Sequence, residues 1–199
     1  MLNICKDLFT NWNGESIKYC HWKSNEHLDK GLDGDTDLDL FVFPNDKMKA
    51  ETLLEQSKFI KCKVQEENNY RNVCEWIGFD AETGKLVHVH LHYEIITGTK
   101  FCKEYVFPVN NLIISSRIKD VASGVYITNP NLEIIILYSR IALKAEDKDN
   151  IVLSEDDIKE IRYLKGLVSW GEVKTNCLSL LGNNAETFFS LIIKNQLSD

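Results

Sequence analysis

Two short stretches of the chain gather side chains able to do chemistry. In the first, Asp35, Asp37 and Asp39 recur at every second position and run into the apolar residues 40–43. Side chains alternate faces along a strand, so the three carboxylates share one face while Leu38, Leu40 and Val42 share the other. Like charges this close need a cation, a hydrogen-bond network or a raised pKa, and oxygen-only ligands suit Mg²⁺ or Mn²⁺. A solvated edge strand is the plainer alternative, and an Asp-x-Asp pair by itself does not separate the two. In the second stretch, KLVHVHLHYEI at residues 85–95, His88, His90 and His92 fall on one face and Val87, Val89, Leu91 and Tyr93 on the other. Three histidines on one strand face are unusual. A polar sheet face packed under a loop would give the same pattern.

The elements around these stretches follow from periodicity and punctuation. Leu2, Cys5, Leu8, Phe9 and Trp12 recur at helical spacing until Asn13-Gly14 breaks the pattern. Residues 16–24 read as a strand, 25–32 as a short helix before Asp33-Gly34, and 36–43 as the acidic strand ended by Pro44. A helix from Asn45 to about Ser57, with Met48, Leu53 and Leu54 inward, precedes strands at 59–64 and 72–79. Residues 81–84 then make a hairpin connection into the histidine strand, so the sheet is expected to be mixed or antiparallel. Further strands are expected at 103–107 and 125–128. Asn129-Pro130 opens a helix over 132–145 that is apolar nearly all round. Ser154 with Asp157 caps a helix over 155–168, and helices at 172–181 and 184–197 follow. The expected architecture is α+β: a small mixed sheet flanked by helices over residues 1–128, then a helical domain over 129–199, with 146–150 as the longest linker.

Composition narrows the function classes. A chain of 199 residues with 44% hydrophobic and 10% aromatic content can bury a core without covalent staples. The net charge of -7 argues against a broad grip on duplex nucleic acid, although a local basic pocket is compatible with it. Six cysteines without a C-x-x-C pair, and a start lacking the apolar stretch of a signal peptide, read as reduced thiols in the cytoplasm. The longest apolar run is far too short to cross a bilayer.

Upstream of the acidic strand, Trp22-Lys23-Ser24 is followed by twelve residues and then Asp37-Leu38-Asp39-Leu40. This resembles the polymerase-β-type nucleotidyltransferase superfamily, whose hallmark is an apolar residue, G-G or G-S, nine to thirteen residues, and D-h-D or D-h-E. Lys23 stands where that family has glycine. The resemblance implies that Asp37 and Asp39 hold the metals, Mg²⁺ or Mn²⁺, and that Ser24 and the turn after the first strand hold a nucleoside triphosphate. It also implies a third carboxylate on a later strand, where this chain has histidine, so His90 is expected to take that position, as a metal ligand or a proton acceptor for the incoming hydroxyl, and point toward Asp37 and Asp39. The wording Y-C-H-W-K-S-N, T-D-L-D and H-L-H-Y is similar to that of uncharacterised nucleotidyltransferase-like proteins found among bacterial surface-polysaccharide genes.

The chemistry implied is metal-dependent transfer of a nucleoside monophosphate from a triphosphate to an unidentified hydroxyl or phosphate acceptor. Lys23 could reach a phosphate, and Arg140 and Lys144, four apart on one helix face, could do so as well. A solvated stripe paired with nearby acids would equally explain those two. Trp22, Trp76 and Tyr93 could stack on a base or simply pack in the core. No G-x-x-x-x-G-K-[ST] loop occurs. Two other classes stay open: a catalytically inactive relative kept as a nucleotide-binding or interaction module, and a His/Asp metal-dependent hydrolase.

Overall fold

The computed structural model describes residues 1–63, 70–99, 102–145 and 151–194. They form two compact units, Met1–Ile95 with Asn110–Thr128, and Ile96–Val109 with Asn129–Asp199. The architecture is α+β, with a mixed sheet flanked by helices and a helical C-terminal region.

The first unit opens with α1 (Asn3–Gly14), which buries Ile4, Cys5, Leu8, Phe9 and Trp12. Strand β1 is only Tyr19–His21, shorter than the expected 16–24. Its start is set by Ser16, held at φ 57°, and by Lys18, whose backbone N–H is bound by the Asp46 carboxylate. A 3-10 turn, Asn25–His27, and α2 (Leu28–Leu32) lead to β2 (Leu38–Val42). Gly34 makes that entry possible: at φ +74° it lies against the Leu86 carbonyl, which a Cβ would approach to 2.5 Å. Then come α3 (Lys47–Gln56), β3 (Phe59–Lys61), β4 (Val73–Phe79) and β5 (Leu86–His92). On α3 the inward residues are Ala50, Leu53 and Leu54. Met48, expected among them, is exposed because it sits two residues before Ala50, on the opposite side of the helix.

Strands β6 (Ile95–Thr99) and β7 (Cys102–Phe107) form a separate two-stranded sheet. After α4 (Asn110–Ser116), β8 (Ile118–Lys119) and β9 (Tyr126–Ile127) complete a seven-stranded sheet of order β3-β4-β5-β2-β1-β9-β8. It is mixed, since β2 runs antiparallel to β1 but parallel to β5, reached by the crossover through α3. One sheet face carries Leu38, Leu40, Val42, Trp76, Val87, Val89 and Leu91 into a core with α1 and α3.

The second unit centres on α5 (Pro130–Lys144), capped by the Asn129 side chain and buried nearly all round, as its composition requires. Helix α6 (Glu155–Lys165) begins with the Ser154–Asp157 capping box. Helices α7 (Trp170–Leu181) and α8 (Ala185–Lys194) close a core around Ile134, Leu137, Tyr138, Leu164, Val173 and Ile192. The expected linker at 146–150 and helix end at 195–197 lie outside the described residues. Among the described residues, no helix is long and apolar enough to cross a membrane, and Cys5, Cys20, Cys62, Cys74 and Cys177 take part in no disulfide.

Candidate metal and nucleotide site

Register decides which polar groups meet. In the parallel β2–β5 pair Asp39 stands opposite His90, Leu38 opposite Val89 and Phe41 opposite His92. On the other side of β5, antiparallel β4 sets Glu75 opposite His90 and Ile77 opposite His88. Strand alternation then sends Val87, Val89 and Leu91 into the core and turns His88, His90 and His92 to the face shared with Asp39 and Glu75.

Two sub-clusters result. The deeper one is centred on Asp39 Oδ1, which lies 2.9 Å from Lys23 Nζ and 3.5 Å from both His90 Nδ1 and His92 Nε2. Burial works against the charged carboxylate, but the Lys23 ammonium and then the two imidazoles outweigh it and hold Asp39 well below the usual carboxylate range. His92, buried beside the Trp22 ring, is pushed the other way: desolvation lowers its pKa despite Asp39. The shallower sub-cluster is open to solvent. His88 Nδ1 is 2.9 Å from Asp37 Oδ1, and His90 Nδ1 is 3.9 Å from Asp37 Oδ2. The other ring nitrogen of His88 faces Glu75 Oε2 at 3.6 Å. For His90, partial burial opposes the charged form, yet Asp39 and Asp37 prevail and raise its pKa. Asp37, His88 and His90 offer ligand atoms within 4.8 Å of one another, so these acidic and imidazole side chains could hold a divalent cation.

At the end of β1, Ser24 adopts a left-handed conformation, φ 55° and ψ 41°, and its carbonyl accepts the His27 N–H at 3.0 Å. The backbone strain that glycine would relieve therefore sits at Ser24, one residue after the position where the resembled motif has its departure to lysine. Beneath the turn, Asn25 Oδ1 is 2.7 Å from His21 Nδ1, and burial lowers the His21 pKa.

The expected residues thus fall into place unevenly. Asp37, Asp39 and His90 come together. Lys23, expected near a phosphate, has its ammonium on Asp39. Asp35 leaves the acidic face to pair with Lys85 at 2.7 Å, while Asp80 caps the β4–β5 hairpin through the backbone of Thr83 and Ile4. Trp22, Trp76 and Tyr93 are buried in packing. Arg140 and Lys144 belong to the second unit, where Arg140 lies 3.8 Å from Glu160 and both line a cavity of about 160 Å³ with Ile151 and Asp157. A larger cavity of the first unit, about 420 Å³, lies between α1 and the Asp80 turn and contains none of the cluster residues. Glu75 had no place in the sequence reading. Counting the antiparallel register back from the hairpin at 81–84 sets it opposite His90.

No family model matches the chain, and no curated protein does. Among solved structures it is similar to the solution structure of the antibiotic-resistance factor ANT(2'')-Ia, at 10% identity over 96% of this chain and 90% of that one, with a TM-score of 0.44. A likeness of this degree bears on neither activity nor substrate.

Proposed function

We propose that the first unit is a nucleotidyltransferase of the polymerase-β type, moving a nucleoside monophosphate from a triphosphate to an acceptor hydroxyl or phosphate. One observation carries this reading: β2 and the residue that enters it bring Asp39 and Asp37 between β1, whose end forms the Ser24 turn, and β5, which sets His90 at the register of Asp39. In this reading the Ser24 turn binds the terminal phosphates. An acceptor oxygen attacks the α-phosphorus, the bond to the bridging oxygen breaks and pyrophosphate leaves. The acceptor's proton passes to solvent, while Asp37, His88 and His90 would hold the cation that makes the acceptor oxygen easier to deprotonate.

The cation expected with such a site is Mg²⁺ or Mn²⁺. A pair of Mg²⁺ ions between Asp37 and Asp39 does not fit these donors, because Lys23 already neutralises Asp39 and imidazole stands where a third oxygen ligand would be. Mn²⁺, which accepts nitrogen more readily, fits better.

The test is incubation of the chain with each α-labelled nucleoside triphosphate and Mn²⁺ in the presence of a small-molecule extract. Pyrophosphate release with label passing to an acceptor is expected, abolished by Asp37→Asn in a folded protein. A second reading, a nucleotide-binding module without turnover, is favoured by the Lys23–Asp39 pair. It predicts saturable triphosphate binding without pyrophosphate. Neither binding nor release would remove both.

A further inference from the structure

We propose that Asp37, His88 and His90 form a mononuclear site for a first-row divalent transition metal, with Glu75 as its orienting partner. The proposal deepens the reading above by naming the cation class, yet it requires no nucleotide.

The donors converge from two neighbouring strands, with 2.9 Å between His88 Nδ1 and Asp37 Oδ1 and 3.9 Å between His90 Nδ1 and Asp37 Oδ2. An ion bound at about 2.0–2.2 Å holds adjacent ligand atoms roughly 3–3.5 Å apart, so the observed separations bracket what coordination needs. The rings of His88 and His90 stand nearly perpendicular, 76° apart with centroids at 4.5 Å, so one does not block the other.

Donor chemistry selects the ion. Two imidazoles and one carboxylate suit Zn²⁺, Co²⁺ or Mn²⁺, whereas Mg²⁺ prefers a shell of oxygen. A second carboxylate would restore the preference for hard cations, but Asp39 is occupied by the Lys23 ammonium at 2.9 Å. That ammonium supplies a fixed positive charge next to the site. His88 shows the arrangement of an oriented metal ligand: one ring nitrogen faces the site, and the other faces the Glu75 carboxylate at 3.6 Å. All three ligands keep solvent access, so the ion would retain open positions for water or a substrate oxygen, as reactive sites do and structural ones do not.

The test is calorimetric titration of the metal-free full chain, without nucleotide, with Zn²⁺, Co²⁺, Mn²⁺ and Mg²⁺. One equivalent of Zn²⁺ or Co²⁺ is expected to bind, with Mg²⁺ about 100-fold weaker or worse. His88→Ala and His90→Ala should each weaken binding by about tenfold or more, since even the loss of an outer-shell partner such as Glu75→Gln costs roughly tenfold. The visible spectrum of the Co²⁺ form should lack thiolate charge-transfer bands. Mn²⁺ broadening of the His88 and His90 ring signals in the unmutated chain provides a readout independent of folding. Equal affinity for Mg²⁺ and Zn²⁺, thiolate bands, or histidine signals untouched by Mn²⁺ would each overturn the site. Triphosphate binding that survives such a failure would leave the nucleotide reading intact.

Discussion

Lys23→Met should destabilise the protein by about 3 kcal/mol at pH 7, the low end of what removing one partner of a buried ion pair costs. The low end applies because both partners keep some water contact: the side chains are 22% and 13% exposed. Methionine keeps a stem of similar length, so the loss reports the ammonium, both its pairing with Asp39 and its place 5.3 Å over the Trp22 ring. A loss of 3 kcal/mol lowers the folding equilibrium constant roughly 150-fold and the midpoint temperature by about 6–12 °C for a chain of this size. Urea unfolding followed by tryptophan fluorescence measures it in the first unit, where Trp12, Trp22 and Trp76 lie. The sign with pH also follows. In the wild type Asp39 is held low, so its contribution is present above the unfolded carboxylate pKa and lost as pH falls through the depressed folded value. In the variant burial prevails and the carboxyl titrates higher, so the deficit shrinks as the solution is acidified. Lys23→Met with Asp39→Asn should regain most of the stability, because no buried charge is then left alone. The His90 pKa should rise further in the single variant, since Lys23 now depresses it. A single variant within about 0.5 kcal/mol of wild type, or a double variant no better than the single, would refute the view that Lys23 is the resident counter-charge of Asp39.

Ser24→Ala should weaken triphosphate binding about ten- to hundredfold, the range for a hydrogen bond to a charged group, with metal affinity unchanged in parallel titrations. Stability of the metal-free chain should peak near pH 6.5, the unperturbed imidazole value. Above it, His90, whose pKa is raised, loses its favourable proton as pH rises; below it, His21 and His92, whose pKa values are lowered, resist protons that the unfolded chain accepts. Unfolding free energies across that range check both limbs, and His90→Asn should flatten only the alkaline one. Gly78→Ala should cost about 1–3 kcal/mol in urea unfolding, because its Cβ would come within 2.6 Å of the Phe59 ring and 2.7 Å of Ile4.

Much of this site can be read from alternation. The period of two around Asp37 and His90 fixes which faces the acids and histidines take, and the order of strands and helix between residues 36 and 95 implies the crossover that makes β2 and β5 neighbours. The short helix after Ser24 and the α5 start at Asn129-Pro130 follow from local chemistry of the same kind. What alternation does not supply is pairing between side chains far apart in sequence. Lys23 on Asp39 depends on a flexible stem choosing a buried carboxylate over water, a balance of desolvation and attraction that spacing does not encode. Glu75 depends on the hairpin register, which the turn at 81–84 specifies only once its length is known. Met48 shows the opposite failure, a hydrophobic residue turned outward because helical geometry overrides residue type.

In the proposed reading the faces of β2 and β5 and the Ser24 turn build one reactive centre. Its most direct test is a crystal soaked with Mn²⁺ and a non-hydrolysable nucleoside triphosphate, read by anomalous scattering. A Mn²⁺ peak is expected among Asp37, His88 and His90, with the terminal phosphates on the Ser24 turn. Nucleotide bound elsewhere with no metal at those three side chains would contradict it.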